Sequence, residues 1–150
     1  MRIGRSFAVG AVVATVVSTQ AEALDVIYKV SGVTDSGGAI NTGVATAIHC
    51  TNFSGVNAKL DVTFKDDEGV GLGGGGGWLK PSQTLTVATR GTNLFNVTSP
   101  GVAVQQGSAV VQSNSPKVHC SAMIIDAAAT VPQGISLHMV RFNPEAGTEE

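Results

Sequence analysis

The segment LDVTFKD, residues 60–66, alternates apolar and polar side chains without a break. Leu60, Val62 and Phe64 fall on one face of an extended chain, and the polar residues between them fall on the other. This two-residue period is typical of a β-strand with one buried face and one solvated face. Similar short apolar runs recur along the chain between turn signals rich in Gly, Pro, Asn and Asp. The pattern therefore predicts an all-β fold.

The spacing of these runs also predicts an architecture. Charged residues make up only 13% of the chain, and small and β-branched residues are abundant, which favours pleated strands over exposed helices. We expect a two-sheet immunoglobulin-like antiparallel β-sandwich of about seven strands over residues 24–143, with a jelly roll or small barrel as alternatives. The predicted strands are DVIYKVS (25–31), GVATAIHCTN (43–52), LDVTFKD (60–66), the end of LKPSQTLTVATR (79–90), GSAVVQS (107–113), KVHCSAMIIDA (117–127) and GISLHMVRF (134–142).

The first 23 residues have the pattern of an export signal. Arg2 and Arg5 precede an apolar stretch over residues 7–17, and Ala21-Glu22-Ala23 matches a small-x-small cleavage site. The apolar stretch is too short for a typical membrane-spanning helix. We expect a signal peptide over residues 1–23 and a periplasmic or extracellular protein, with an uncleaved N-terminal anchor as the alternative.

Charge limits the classes of partner. Removal of residues 1–23 leaves seven basic and ten acidic side chains, a net charge of −3. This balance gives no electrostatic reason to expect nucleic acid or an anionic membrane as a partner, because both attract basic surfaces. We expect no membrane span after signal cleavage and a protein or cell-envelope partner of unknown identity. The acidic segment 144–150 has nothing to bury and is expected to be a flexible tail.

Cys50 and Cys120 are the only cysteines, and each follows a histidine. Strand alternation places Cys50 on the face of Thr46 and Ile48, and it gives Cys120 a similarly apolar face. Two cysteines in an exported chain are usually bonded to each other, so we expect a disulfide. The bond could join the two sheets or two neighbouring strands, and the sequence leaves both possibilities open.

The doubled His-Cys dipeptide also suggests a metal site. Two histidines and two cysteines would satisfy a tetrahedral zinc ion, but adjacent strand residues point to opposite faces, so one dipeptide cannot supply both ligands without a bulge. A weaker alternative is a copper or zinc site made of His49, His119 and His138 on one outer face. If Cys50 and Cys120 lie on neighbouring strands, His49 and His119 should sit diagonally across the pair. We favour no metal site.

No motif in the chain points to catalysis. Residues 73–77 are five consecutive glycines, but the Lys-Ser/Thr signature and following helix of a phosphate-binding loop are missing. We expect this run to be a flexible tip between strands, anchored by Trp78 and Leu79. The chain has no Gly-x-Ser-x-Gly nucleophile motif and no calcium-loop pattern after Asp66. We therefore expect no catalytic residue, no cofactor and a non-enzymatic protein.

Several segments together resemble a known group of proteins. HCTN, KPSQTLTVATRG, GSAVV, VHCSAMIIDA and PQGISLHMVRFNPE are similar to segments of small exported bacterial β-sandwich proteins of unknown function, which carry one cysteine in an early strand and one in a late strand. The resemblance implies a fold and a location, and it supplies no catalytic residue. The chain is thus expected to be a structural or binding module. The alternatives are a metal-binding periplasmic protein and assembly through an exposed strand edge.

Overall fold

A computed structural model describes residues 23–131, 133–143 and 148–149 of the chain. The predicted export signal lies outside the described residues except for Ala23. The described chain contains no helix. Its strands are β1 (Asp25–Asp35), β2 (Val44–Asn52), β3 (Ala58–Lys65), β4 (Gly71–Leu79), β5 (Thr84–Ala88), β6 (Val104–Ser113), β7 (Val118–Asp126), β8 (Gly134–Leu137), β9 (Met139–Asn143) and β10 (Thr148–Glu149).

These strands form two antiparallel sheets. The six-stranded sheet has the order β10-β9-β1-β6-β3-β4, and the four-stranded sheet has the order β5-β2-β7-β8. The predicted all-β sandwich is confirmed. The described strands are more numerous than the predicted seven or so, and the immunoglobulin-like topology stays a prediction.

The main core lies between the two sheets and follows the alternation seen in the sequence. Leu60, Val62 and Phe64 of β3 are each at most 1% exposed. They pack with inward-facing residues of both sheets, including Ile48 of β2 and Val111 of β6. Burial of one face of each strand thus stabilises the sandwich through the hydrophobic effect.

The last predicted strand is divided between the two sheets. GISLHMVRF forms β8, which pairs with β7, and β9, which pairs with β1, with His138 between them. Leu137 and Met139 both pack against the main core from different sheets. The prediction of a single strand was wrong because the chain crosses from one sheet to the other at this point.

The glycine run is a strand and not a flexible tip. It forms most of β4, which pairs with β3 along its length. A Cβ atom on Gly74 would overlap the carbonyl oxygen of Val62, and one on Gly76 would overlap that of Leu60. Positions 74 and 76 are consequently glycine because the β4 backbone lies too close to β3 there for a side chain. The expected flexibility was wrong for this reason.

A second, smaller core lies on the outer face of the four-stranded sheet. We call residues 89–103, which connect β5 to β6, the cover loop. Small side chains of the sheet leave room for larger side chains of the cover loop. The sheet side includes Ala45, Ala47, Ala88, Met123 and Ile125, together with Ala127 just after β7, and the loop side includes Leu94, Phe95 and Val97. The cover loop also pairs with β5, since the Thr98 amide donates to the Thr86 carbonyl at 3.0 Å.

Two residues of the predicted tail form a short strand. Thr148 pairs with Asn143 and Glu149 pairs with Phe142, so β10 lies beside β9. Residues 144–147 and 150 lie outside the described residues. The expectation of a flexible acidic tail therefore stays a prediction for those positions.

Candidate functional site

The two cysteines are joined by a disulfide within one sheet. Cys50 of β2 lies directly opposite Cys120 of β7, and their Cα atoms are 4.1 Å apart. Such a short separation is typical of a directly opposed antiparallel pair that does not exchange backbone hydrogen bonds. Cys50 is fully buried, and Cys120 packs against the main core. The bond thus joins neighbouring strands, which resolves the alternative that the sequence left open.

His49 points to the opposite face from Cys50, as strand alternation predicts, and enters the smaller core. Its Nδ1 atom lies 2.8 Å from the Thr86 hydroxyl oxygen. The Phe95 ring of the cover loop packs edge-on against the imidazole with 4.5 Å between ring centroids. The Nε2 atom is buried and has no hydrogen-bond partner among the described residues. Burial lowers the pKa of His49 below its usual 6.5, because desolvation disfavours the charged imidazolium.

The other two histidines have different surroundings. His119 is exposed on β7, and its ring packs edge-on against Phe53 at 5.6 Å between centroids. In the strand register, His119 lies opposite Thr51, so it is diagonal to His49 as predicted for neighbouring strands. His138 is exposed at the crossing between the sheets.

The three histidines do not form a metal site in the part of the chain that the structure describes. There, no group of three or more His, Cys, Asp or Glu side chains is placed to hold a metal ion. The two sulfur atoms are bonded to each other, and only a thiolate can serve as a cysteine ligand. The arrangement therefore lacks the three or four convergent ligands that a protein zinc site uses.

The most elaborate polar cluster is a buried ion pair. Arg90, which follows β5, donates through Nε to Asp35 Oδ2 at 2.8 Å and through Nη2 to Asp35 Oδ1. The two side chains are 5% and 0% exposed. The remaining Arg90 nitrogen, Nη1, donates to the carbonyl oxygens of Gly37, Ala39 and Thr42 in the β1–β2 loop. The guanidinium thus links this loop to the end of β1 and fixes the conformation of the loop.

The buried side-chain amide of Asn52 likewise stabilises a connecting segment, at the other end of the sandwich. Asn52 is fully buried, and its Nδ2 atom donates to the carbonyl oxygens of Val56 at 2.6 Å and Leu79 at 2.9 Å. Its Oδ1 atom accepts hydrogen bonds from the Ser54 amide and hydroxyl. Asn52 therefore holds the β2–β3 turn against the end of β4.

Sequence reasoning missed both polar clusters. Neither Asp35 nor Arg90 belongs to a sequence motif that would assign it a role. A lone arginine at the end of an apolar strand is a usable signal, because arginine is almost never fully buried without a partner. The sequence does not identify that partner, since Asp35 lies 55 residues away.

A shallow depression lies on the outer face of the six-stranded sheet. It is lined by Lys29, Val30, Ser31, Ser108 and Val140. The Lys29 ammonium lies 4.9 Å from the centre of the Phe142 ring, which is a cation–π contact. The lining contains no carboxylate, histidine or cysteine, so neither of its two serines has an imidazole or carboxylate there to act as general base.

Since the described residues form no helix, none of their segments is a helix long and apolar enough to cross a membrane. Comparison of the chain with protein-family models, with curated proteins and with solved structures finds no match.

Proposed function

We propose that the protein is an exported, non-enzymatic structural or binding module of the periplasm or the extracellular space. The observation that carries this proposal is the disulfide, which uses both cysteines of the chain. Disulfides form and persist in oxidising compartments and are rare where thiols are kept reduced. The predicted signal peptide over residues 1–23 supplies the route to such a compartment.

The polar groups support the structural or binding part of the proposal. A catalytic site needs acid, base or nucleophilic groups that converge on a space where a substrate can lie. Here Asp35, Arg90 and Asn52 have their hydrogen-bonding groups engaged with neighbouring backbone or with one another. His49 is covered by Phe95. These groups stabilise loops, and the loops are the parts of a sandwich that present a binding surface.

Thiol mapping combined with cell fractionation tests the proposal. The full chain is produced in a bacterial host that has a periplasm, and each fraction is denatured and alkylated before or after reduction. We expect the protein in the periplasm or medium, cleaved near Leu24, with two alkyl groups added only after reduction. The matched control, Cys120→Ser, should gain one alkyl group without reduction. A cytoplasmic protein that gains two alkyl groups without reduction would contradict the proposal.

The metal-binding alternative has less support. It requires His49, His119 and His138 to share an ion, whereas the His49 ring contacts Thr86 and Phe95 and the His119 ring contacts Phe53. Elemental analysis of protein purified without a histidine tag provides the comparison. Stoichiometric copper or zinc that is lost in His119→Ala would favour the metal-binding alternative over the structural module.

A further inference from the structure

The four outer strands of the two sheets differ in length and in what lies beside them. The six-stranded sheet ends in β10, which has two residues, and in β4, which has nine. The four-stranded sheet ends in β8, which has four residues, and in β5, whose outer edge is bonded to Thr98 of the cover loop. Among the described residues, β4 is therefore the longest strand with one unpaired edge.

The β4 strand contains none of the residues that usually block pairing with another strand, and only Thr98 and Pro100 of the cover loop lie near its glycines, at Gly75 and Gly73. Proteins block such edges with lysine, proline, very short strands or a covering segment, because unpaired backbone groups attract further strands. The nine residues of β4, GLGGGGGWL, contain no charge and no proline. Within the described chain, β4 pairs with β3 alone, and no other strand covers its second edge.

The two ends of β4 carry opposite charges, which favours one orientation of a partner strand. The turn before β4 carries exposed Asp67 and Glu68, and the residue after β4 is exposed Lys80. Each end also carries an exposed apolar side chain, since Val70 and Trp78 are both 57% exposed. An antiparallel second copy would bring the acidic end of one strand to the basic end of the other. Charge and apolar surface are thus complementary in that orientation.

We propose that the protein forms a symmetric dimer by antiparallel pairing of β4 with β4 of a second copy. Full overlap of the two strands centres the pair on Gly75, so that Trp78 lies opposite Leu72 of the second copy and next to its Val70. Lys80 then lies beside the acidic turn of the second copy. The contact is isologous, which means that each of these interactions occurs twice, and the two six-stranded sheets become one continuous sheet.

The orientation follows from the positions of the charges. Parallel pairing would bring Lys80 beside Lys80 and Glu68 beside Glu68, and like charges in contact destabilise an interface. An edge pairing between two copies also requires no other protein. The dimer is independent of the proposed export, because neither the disulfide nor the signal peptide takes part in it.

Trp78 gives a direct readout because it is the only tryptophan in the chain. The full chain is studied by sedimentation velocity and by fluorescence over the same concentration series. We expect a monomer–dimer equilibrium and a blue shift of the Trp78 emission that follows the dimer fraction. A protein that remains monomeric over the whole series overturns the proposal, as does a dimer that leaves the Trp78 emission unchanged.

Charge reversal tests the antiparallel orientation. Lys80→Glu should raise the dimer dissociation constant about tenfold at low salt, because two attractive contacts per dimer become repulsive. Lys80→Glu combined with Glu68→Lys should restore the wild-type value. The matched control is Lys117→Glu, which reverses an exposed lysine outside β4 and should leave the dissociation constant unchanged. A double variant that dimerises more weakly than Lys80→Glu overturns the antiparallel arrangement.

Peptide binding distinguishes a second copy from another partner. If the protein stays monomeric and a synthetic extended peptide binds along β4, the partner of this edge is another protein, and the dimer is overturned.

Discussion

Alanine substitution in the glycine run should affect stability in opposite directions at neighbouring positions. A Cβ atom on Gly74 would overlap the Val62 carbonyl oxygen, whereas a Cβ atom on Gly77 would have no heavy atom within 4 Å. Gly74 and Gly77 both belong to β4, and neither has a positive φ that would itself disfavour alanine. The two substitutions therefore differ in the space that the structure gives to the added methyl group.

The two changes in the free energy of unfolding depend on whether β4 must move to make room for the added methyl group. At Gly77, alanine reduces the conformational entropy of the unfolded chain and should stabilise the protein by about 0.4–1 kcal/mol. At Gly74, β4 must separate locally from β3. Overpacking of this kind typically costs about 1–3 kcal/mol, and each broken backbone hydrogen bond adds about 1 kcal/mol. We expect Gly74→Ala to lower the free energy of unfolding by about 2–5 kcal/mol.

Urea denaturation followed by circular dichroism measures both values, at a protein concentration low enough to keep the chain monomeric. The disulfide is kept oxidised in every sample, so that the unfolded state is the same. Gly76→Ala should behave like Gly74→Ala, since its Cβ would overlap the Leu60 carbonyl oxygen. If alanine at Gly74, Gly76 and Gly77 has the same small effect, the run is a flexible tip and the packing argument is refuted.

Three further perturbations test the remaining features. Arg90→Met should lower the free energy of unfolding by about 3–5 kcal/mol in urea denaturation, because it leaves a buried carboxylate without its partner; no loss would show that the ion pair is dispensable. Burial lowers the pKa of His49, so the unfolded chain binds a proton at higher pH than the folded chain, and stability should fall as the pH drops below about 6.5. His49→Gln should reduce this pH dependence, whereas the exposed-site control His119→Gln should retain it; equal pH profiles for both variants would contradict the assignment. Replacement of both Cys50 and Cys120 by alanine should cost on the order of 4 kcal/mol, from the entropy of an open loop in the unfolded chain; an unchanged urea midpoint would contradict this estimate.

The sequence predicted the elements that follow a simple local rule. The alternation of Leu60, Val62 and Phe64 identified β3 and its buried face, because side chains on a strand alternate with a period of two. The same rule placed His49 and Cys50 on opposite faces. Such predictions depend only on the geometry of one strand, which the residue order determines directly.

The features that the sequence did not predict depend on contacts between distant segments. A run of glycines has the same sequence pattern whether it forms a loop or a strand, and only the approach of β3 shows why Gly74 and Gly76 have no side chain. The role of Arg90 required Asp35 to be placed beside it by the fold. The crossing at His138 depends on the positions of both sheets. No local sequence pattern indicates any of these contacts.

The position of the disulfide also sets how the protein responds to a stretching force. The bond closes a loop between residues that are 70 positions apart, and strands β1 and β9, which pair with each other, both lie outside that loop. A pull applied to the two ends can separate β1 from β9 and unfold the flanking segments, but it cannot extend the chain inside the loop. At about 3.4 Å per extended residue, roughly 240 Å of chain stays inaccessible until the bond is reduced. The measured extension of a single molecule would therefore report the oxidation state of the protein.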